Sequence, residues 1–128
     1  MIHLDTNVLI RFFTKDDLAR AKKVKVLFRK ESEIFIADVV FPELDHVLRK
    51  VYNLHRNDVV AAYKFILSCP AVKCAKIIHE AALLYETSSL SMADCIIAVY
   101  SLSGKLATFD EKLSKIEGVK NYWPAKSV

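Results

Sequence analysis

Glycine and proline are scarce in this chain, two and three in 128 residues. So few turn-formers and helix-breakers imply long regular elements, mostly helices. Cysteine is also sparse: Cys69, Cys74 and Cys95 make an odd set with no CxxC, which excludes a disulfide framework and a cysteine zinc site. The histidines His3, His46, His55 and His79 are scattered without ligand spacing, so they read as structural or surface residues. No hydrophobic run is long enough to span a bilayer; the longest, near 93–102, is short and carries Asp94. No basic n-region precedes the first apolar residues, so a cytoplasmic protein with no membrane partner is expected.

What remains is a globular composition, 53% apolar and 27% charged, sized for a single domain over residues 1–128. Net charge is +4, an excess compatible with nucleic acid. Lys22, Lys23, Lys25, Arg29 and Lys30 crowd one helical segment, and Arg49, Lys50 and Arg56 follow a second. Such runs are equally the solvated faces of amphipathic helices.

Ile2 and Leu4 form an apolar run that ends in Asp5-Thr6-Asn7, and Val8, Leu9, Ile10, Phe12 and Phe13 resume at once. That pattern predicts a short buried strand emptying into a helix. Residues 17–29 repeat apolar side chains at helical spacing, and 34–37 read as a second strand. Asp38 is expected to cap the next helix, which carries Pro42 in its first turn and Glu43 on or beside its apolar stripe. A further helix ends at Cys69-Pro70, a short strand is expected over 71–74, and 75–86 is helical. Residues 91–102 are apolar nearly all round and predict a central buried helix, with Ser91 as its cap. A last strand is expected over 106–109, with Asp110 at its exit and a short helix over 111–116. Alternating strands and helices imply an α/β fold with a parallel sheet.

The acids sort into two groups. Asp16, Asp17, Asp45, Asp58, Glu80 and Glu111 fall on polar faces or in loops. Asp5, Glu43, Asp94 and Asp110 differ: two close strands, and two stand in apolar surroundings near a helix start. Ligands bind in open α/β sheets beyond the carboxyl ends of the strands. At a single junction such as Asp5-Thr6 the acid is explained as a helix cap. Four at such junctions point instead to a cation, because burying one unpaired carboxylate costs several kcal/mol.

Taken together these residues resemble the PIN-domain ribonucleases, and within them the VapC-like toxins of toxin–antitoxin pairs. Leu4-Asp5-Thr6-Asn7-Val8-Leu9-Ile10-Arg11 is similar to the opening motif, and Glu43 in Phe41-Pro42-Glu43-Leu44 to the second acid. Asp94 in Ala93-Asp94-Cys95-Ile96-Ile97-Ala98 matches the third, and Asp110 in Ala107-Thr108-Phe109-Asp110 the fourth, with Thr108 as its hydroxyl partner. The likeness spans essentially the whole chain. It departs at Asp38, where the family often has a small residue or proline, and at Pro42. It implies a PIN-like α/β/α sandwich with a central parallel sheet, Mg²⁺ or Mn²⁺ in an acidic pocket, and endonucleolytic RNA cleavage. A homodimer and a cognate antitoxin protein are implied as well.

The chemistry agrees with that implication. Phosphodiester hydrolysis needs a hydroxide at neutral pH and neutralised charge on the attacking and leaving oxygens, which carboxylate-held metal supplies. Oxygen ligands suit Mg²⁺ or Mn²⁺. Asp5 and Asp94 are expected as principal ligands, Glu43 as a water-mediated ligand or nucleophile orienter, and Asp110 as completing a second site. Thr6, Asn7 and Thr108 are expected to hydrogen-bond and fix the carboxylates. Arg11 is either a phosphate contact or an ordinary surface cation. Two rivals stand beside this reading. An aspartyl-phosphate phosphatase also opens on a strand-closing Asp but needs a second Asp where Asn7 lies. A catalytically silent PIN-like module binding RNA or protein is the other, against which all four acids are retained.

Overall fold

The computed structural model describes residues 1–124. The expected domain range of 1–128 therefore includes four residues, 125–128, outside the described ones. Three very short strands form a parallel sheet in the order β1-β2-β3: β1 (Ile2–His3), β2 (Ile34–Phe35) and β3 (Val72–Lys73). The register pairs Ile2 with Ile34 and Ile34 with Val72. Backbone bonds continue past the strand ends, Leu4 N–H to the Phe35 carbonyl at 3.1 Å and Ile36 N–H to the Lys73 carbonyl at 3.0 Å. Ile34 and Ile36 are wholly buried. A centre strand covered on both faces has no room for polar alternation, which is why this stretch reads as an unbroken apolar run.

Helices fill the connections: α1 (Thr6–Thr14), α2 (Leu18–Lys30), α3 (Val40–His46), α4 (Arg56–Ser68), α5 (Lys76–Thr87), α6 (Met92–Ser101) and α7 (Glu111–Ser114). The fold is mixed α/β with a parallel sheet, as the alternation predicts. α3 runs on into a wider π-helical turn, Val47–Val51, where Tyr52 N–H reaches back to the Val47 carbonyl at 3.2 Å. The core gathers Phe41, Leu44, Leu48, Val59, Tyr63, Ile66, Ile78 and Tyr85. The Tyr63 hydroxyl is satisfied there by the Phe41 carbonyl at 2.6 Å.

Three expectations need correction. The last strand over 106–109 does not join the sheet; Leu106 makes only an isolated parallel bridge with Asn121. Leu106 alone of that run is buried, and the Thr108 hydroxyl accepts from the Asp110 N–H at 3.0 Å, a local turn that competes with ladder pairing. Asp38 is not the cap of α3. The first amides of that helix already find the carbonyls of Ala37, Asp38 and Val39, so no orphan N–H is left for a side chain. The Asp38 carboxylate instead accepts from the Tyr100 hydroxyl at 3.1 Å. Finally, α6 is buried on one side only, since Ile97 and Tyr100 are about half exposed.

The packing makes a simple contrast testable. Leu44 is fully buried and Leu83 is 66% exposed. Leu44→Ala is expected to cost about 2–5 kcal/mol in urea unfolding, and Leu83→Ala within about 0.5 kcal/mol of zero. Equal costs would show that α3 does not face the core.

Candidate metal and nuclease site

All four singled-out acids stand at helix N-termini. Asp5 leaves β1 just past the last sheet-bonded residue and is the N-cap of α1, its Oδ1 accepting from the Thr6 N–H at 2.8 Å. Glu43 lies in the first turn of α3 and Asp94 in the first turn of α6, where its own N–H donates to the Ser91 hydroxyl at 3.2 Å. Asp110 caps α7, its Oδ1 accepting from the Leu113 N–H at 3.0 Å. Asp5, Glu43 and Asp110 are exposed and Asp94 is half-buried, so the expected apolar setting holds for Asp94 and not for Glu43. Among the described residues no donor meets the carboxylate of Glu43 or Asp94.

Helix packing orders three of these positions. α1 lies against α3, and α3 against α6, so Glu43's helix separates those of Asp5 and Asp94. α7 has no comparable packing on them; Asp110 instead borders a cavity of about 410 Å³ with Thr108, Asn121 and Trp123. Among the described residues no three His, Cys, Asp or Glu side chains form a group able to hold a metal ion. A pre-assembled cage of protein ligands is therefore not what these residues make. An Mg²⁺-type ion asks for less than such a cage, since its sphere usually takes one or two carboxylates and fills with water and substrate phosphate. Thr6 is buried and offers Asp5 its backbone N–H, while Asn7 is exposed and Thr108 touches the Asp110 backbone rather than its carboxylate.

Arg11 is occupied. Its Nη1 donates to both Asp16 oxygens at 3.0 Å, and the Tyr52 hydroxyl adds a bond to Asp16 at 2.9 Å. The Tyr52 bond, then Arg11, hold the Asp16 carboxyl below its ordinary value. Arg11, Arg20, Lys23, Asn7 and Val8 line a groove of about 310 Å³ between α1 and α2.

A family model described as PIN domain matches residues 2–119. The chain belongs to the PIN domain family. That membership makes it a domain of general nuclease type. No curated protein and no solved structure matches it. Among the described residues no helix is long and apolar enough to cross a membrane.

One structural residue of this PIN domain escaped sequence reasoning. Asp45, expected on a polar face, is only 4% exposed. Its Oδ1 accepts from the Tyr85 hydroxyl at 2.6 Å and its Oδ2 from the Met92 N–H at 3.0 Å. Met92 is the first residue of α6, so a buried carboxylate on α3 ties down the helix start that presents Asp94. Arg49 approaches Asp45 at 3.7 Å, and burial first, then the Asp45 bond, push the Tyr85 phenol up. Arg56 lies over the Tyr85 ring, 3.6 Å from its centroid, and donates to the Tyr85 and Leu90 carbonyls. Two arginines read as surface charge are thus structural. The signal was present: Phe41, Asp45 and Leu48 are spaced four and three apart, which puts Asp45 on the apolar stripe.

Two outcomes follow for this network and for Asp16. Asp45→Ala strands the Tyr85 hydroxyl and the Met92 amide, at about 1–3 kcal/mol for each buried group. Asp45→Asn, which keeps an acceptor, is expected to cost less; urea unfolding of both variants checks the order, and an Ala variant as stable as the parent refutes the anchor. Asp16 has a depressed folded pKa, so its contribution is present above the ordinary value of 3.8 and lost as pH falls through the lower folded value. Melting temperature followed from about pH 5 to about pH 2 is expected to fall more for the parent than for Asp16→Asn.

Proposed function

We propose that this PIN domain is a metal-dependent endoribonuclease, in the finer reading the toxin of a toxin–antitoxin pair. The observation that carries it is the half-buried Asp94 carboxylate, without a donor among the described residues, on a helix start fixed from the interior by Asp45. A carboxylate that spends neither oxygen on a donor among the described residues keeps its acceptor sites for a ligand, and the tie from Asp45 to the Met92 amide fixes the helix start that carries it.

Asp5 and Asp94 are the residues to hold Mg²⁺ or Mn²⁺, with Glu43 exposed and available to orient a water, and Asp110 to complete a second position. When bound, the metal supplies a nucleophilic hydroxide near neutral pH and stabilises charge on the phosphodiester oxygens. The chain's own share is orientation. Asp5 is aimed by its capping bond to Thr6, and the positive helix N-termini favour an incoming phosphate. The α1–α2 groove, with Arg20 and Lys23 beside Asn7, supports an RNA backbone leading to Asp5. Arg11 meets a phosphate only by giving up Asp16. Exposed Val39, Ile97 and Tyr100 support a protein contact, consistent with a homodimer or a cognate antitoxin.

Labelled single-stranded RNA is expected to be cut in Mg²⁺ or Mn²⁺ and not in chelator. Asp94→Asn keeps size and shape, so it should remain folded while cleavage falls by orders of magnitude. Millimolar Mn²⁺ is expected to raise the parent's melting temperature, since a ligand of the native state stabilises it, and to raise that of Asp94→Asn less. Cleavage by Asp94→Asn at the parental rate sinks the catalytic assignment. A folded parent that binds RNA but never cuts it is instead the silent module.

A further inference from the structure

The chain beyond α6 folds back on itself and carries aromatic rings into water. Leu106 N–H donates to the Lys120 carbonyl and Tyr122 N–H to the Leu106 carbonyl, both at 2.8 Å, so the two stretches run side by side. Gly118, at φ +88°, supplies a left-handed turn just before the second stretch. Phe109 and Trp123 are thereby stacked, centroids 4.9 Å apart and planes 11° from parallel, with Tyr122 edge-on to Trp123 at 5.2 Å. Stacked aromatic clusters ordinarily belong to a core. Here Phe109 is 92% exposed, Tyr122 60% and Trp123 52%.

The neighbourhood limits what covers them. Trp123 shares its cavity with Thr108, Asp110, Glu111, Lys115 and Asn121. Asn121 Nδ2 donates to the Ser114 carbonyl at 2.8 Å, and its Oδ1 is buried with no donor among the described residues. Lys112, Lys115 and Lys120 are exposed in the same segment. Flat exposed π faces with flanking cations match a nucleobase with its phosphate, since bases stack on aromatic rings whatever their sequence. An aliphatic helix face would cover the rings but leave the lysines without a counter-charge.

We propose that Phe109 and Trp123 form a stacking platform for one unpaired base of single-stranded RNA, held next to Asp110, with Lys115 toward the adjoining phosphate. The platform rests on the nuclease reading for its substrate, and its test is independent of cleavage. Trp123 is the one tryptophan of the chain, so its emission reports the site directly. Single-stranded RNA titrated into the whole protein in chelator is expected to quench that emission saturably. Duplex RNA of equal length should not. Phe109→Ala should weaken the titration about tenfold, the scale of one stacked base, and Phe109→Tyr should restore it. Unquenched Trp123 in a protein that cuts RNA with metal overturns the platform and leaves the nuclease standing. Equal quenching by duplex RNA overturns it too, as does an emission change with protein concentration alone, which makes the patch a contact between copies. Saturable quenching without any cleavage in Mg²⁺ or Mn²⁺ supports the platform and removes the nuclease reading.

Discussion

The buried carboxylate of Asp45 is the contact on which the candidate site depends. It is a charged group in the core, held there by the Tyr85 hydroxyl and the Met92 amide. Replacing it with a hydrophobe that packs as well is often neutral for stability. Its value is therefore geometric. It joins α3 to α5 and to the first turn of α6, elements that lie 40 and 47 residues on at Tyr85 and Met92, and fixes the depth at which Asp94 is presented. Arg56, stacked on Tyr85 and bonded to the Leu90 carbonyl, holds the same junction from the other side.

A sheet of two-residue strands needs such support. Backbone pairing over so few residues contributes little cooperativity, so the helices must position one another. The sheet's role is to end three chains at one edge, where α1 leaves at Asp5 and α3 leaves beyond Ile36. α1 against α3 and α3 against α6 then carry that alignment to the acids. The π-helical turn after α3 swings Tyr52 onto Asp16, which binds Arg11 of α1, a second tie between the same two helices.

Much of this was legible in the residues. The alternation of short apolar runs and amphipathic segments placed every strand of the sheet and every helix to within a few residues, because burial and periodicity are local signals. The motif around Asp5 was legible for the same reason. What failed was non-local. Whether 106–109 joined the sheet depended on pairing partners that no local pattern names, and a threonine turn won. Asp38 was misread because a carboxylate before a helix does not reveal that backbone carbonyls already serve its first amides. Asp45 was placed on a polar face, although Phe41 and Leu48 four and three residues away put it on the apolar stripe, and a charged residue at a core position is the informative exception.

On the proposed metal-dependent reading, capping and metal binding at Asp5 and Asp110 are compatible rather than rival roles. A carboxylate has two oxygens and about four acceptor sites. Asp5 and Asp110 each spend Oδ1 on a helix amide, while Oδ2 meets no donor among the described residues. The cap is what stops the side chain from rotating, so it aims the second oxygen. A helix N-terminus alone repels a cation and attracts a phosphate. Adding a fixed carboxylate makes the same spot bind both, the cation through the acid and the phosphate through the remaining amides. An exposed acid on a floppy rotamer offers the charge without the aim. On the same reading Glu43, longer and without such a bond, suits orienting a water better than holding a metal.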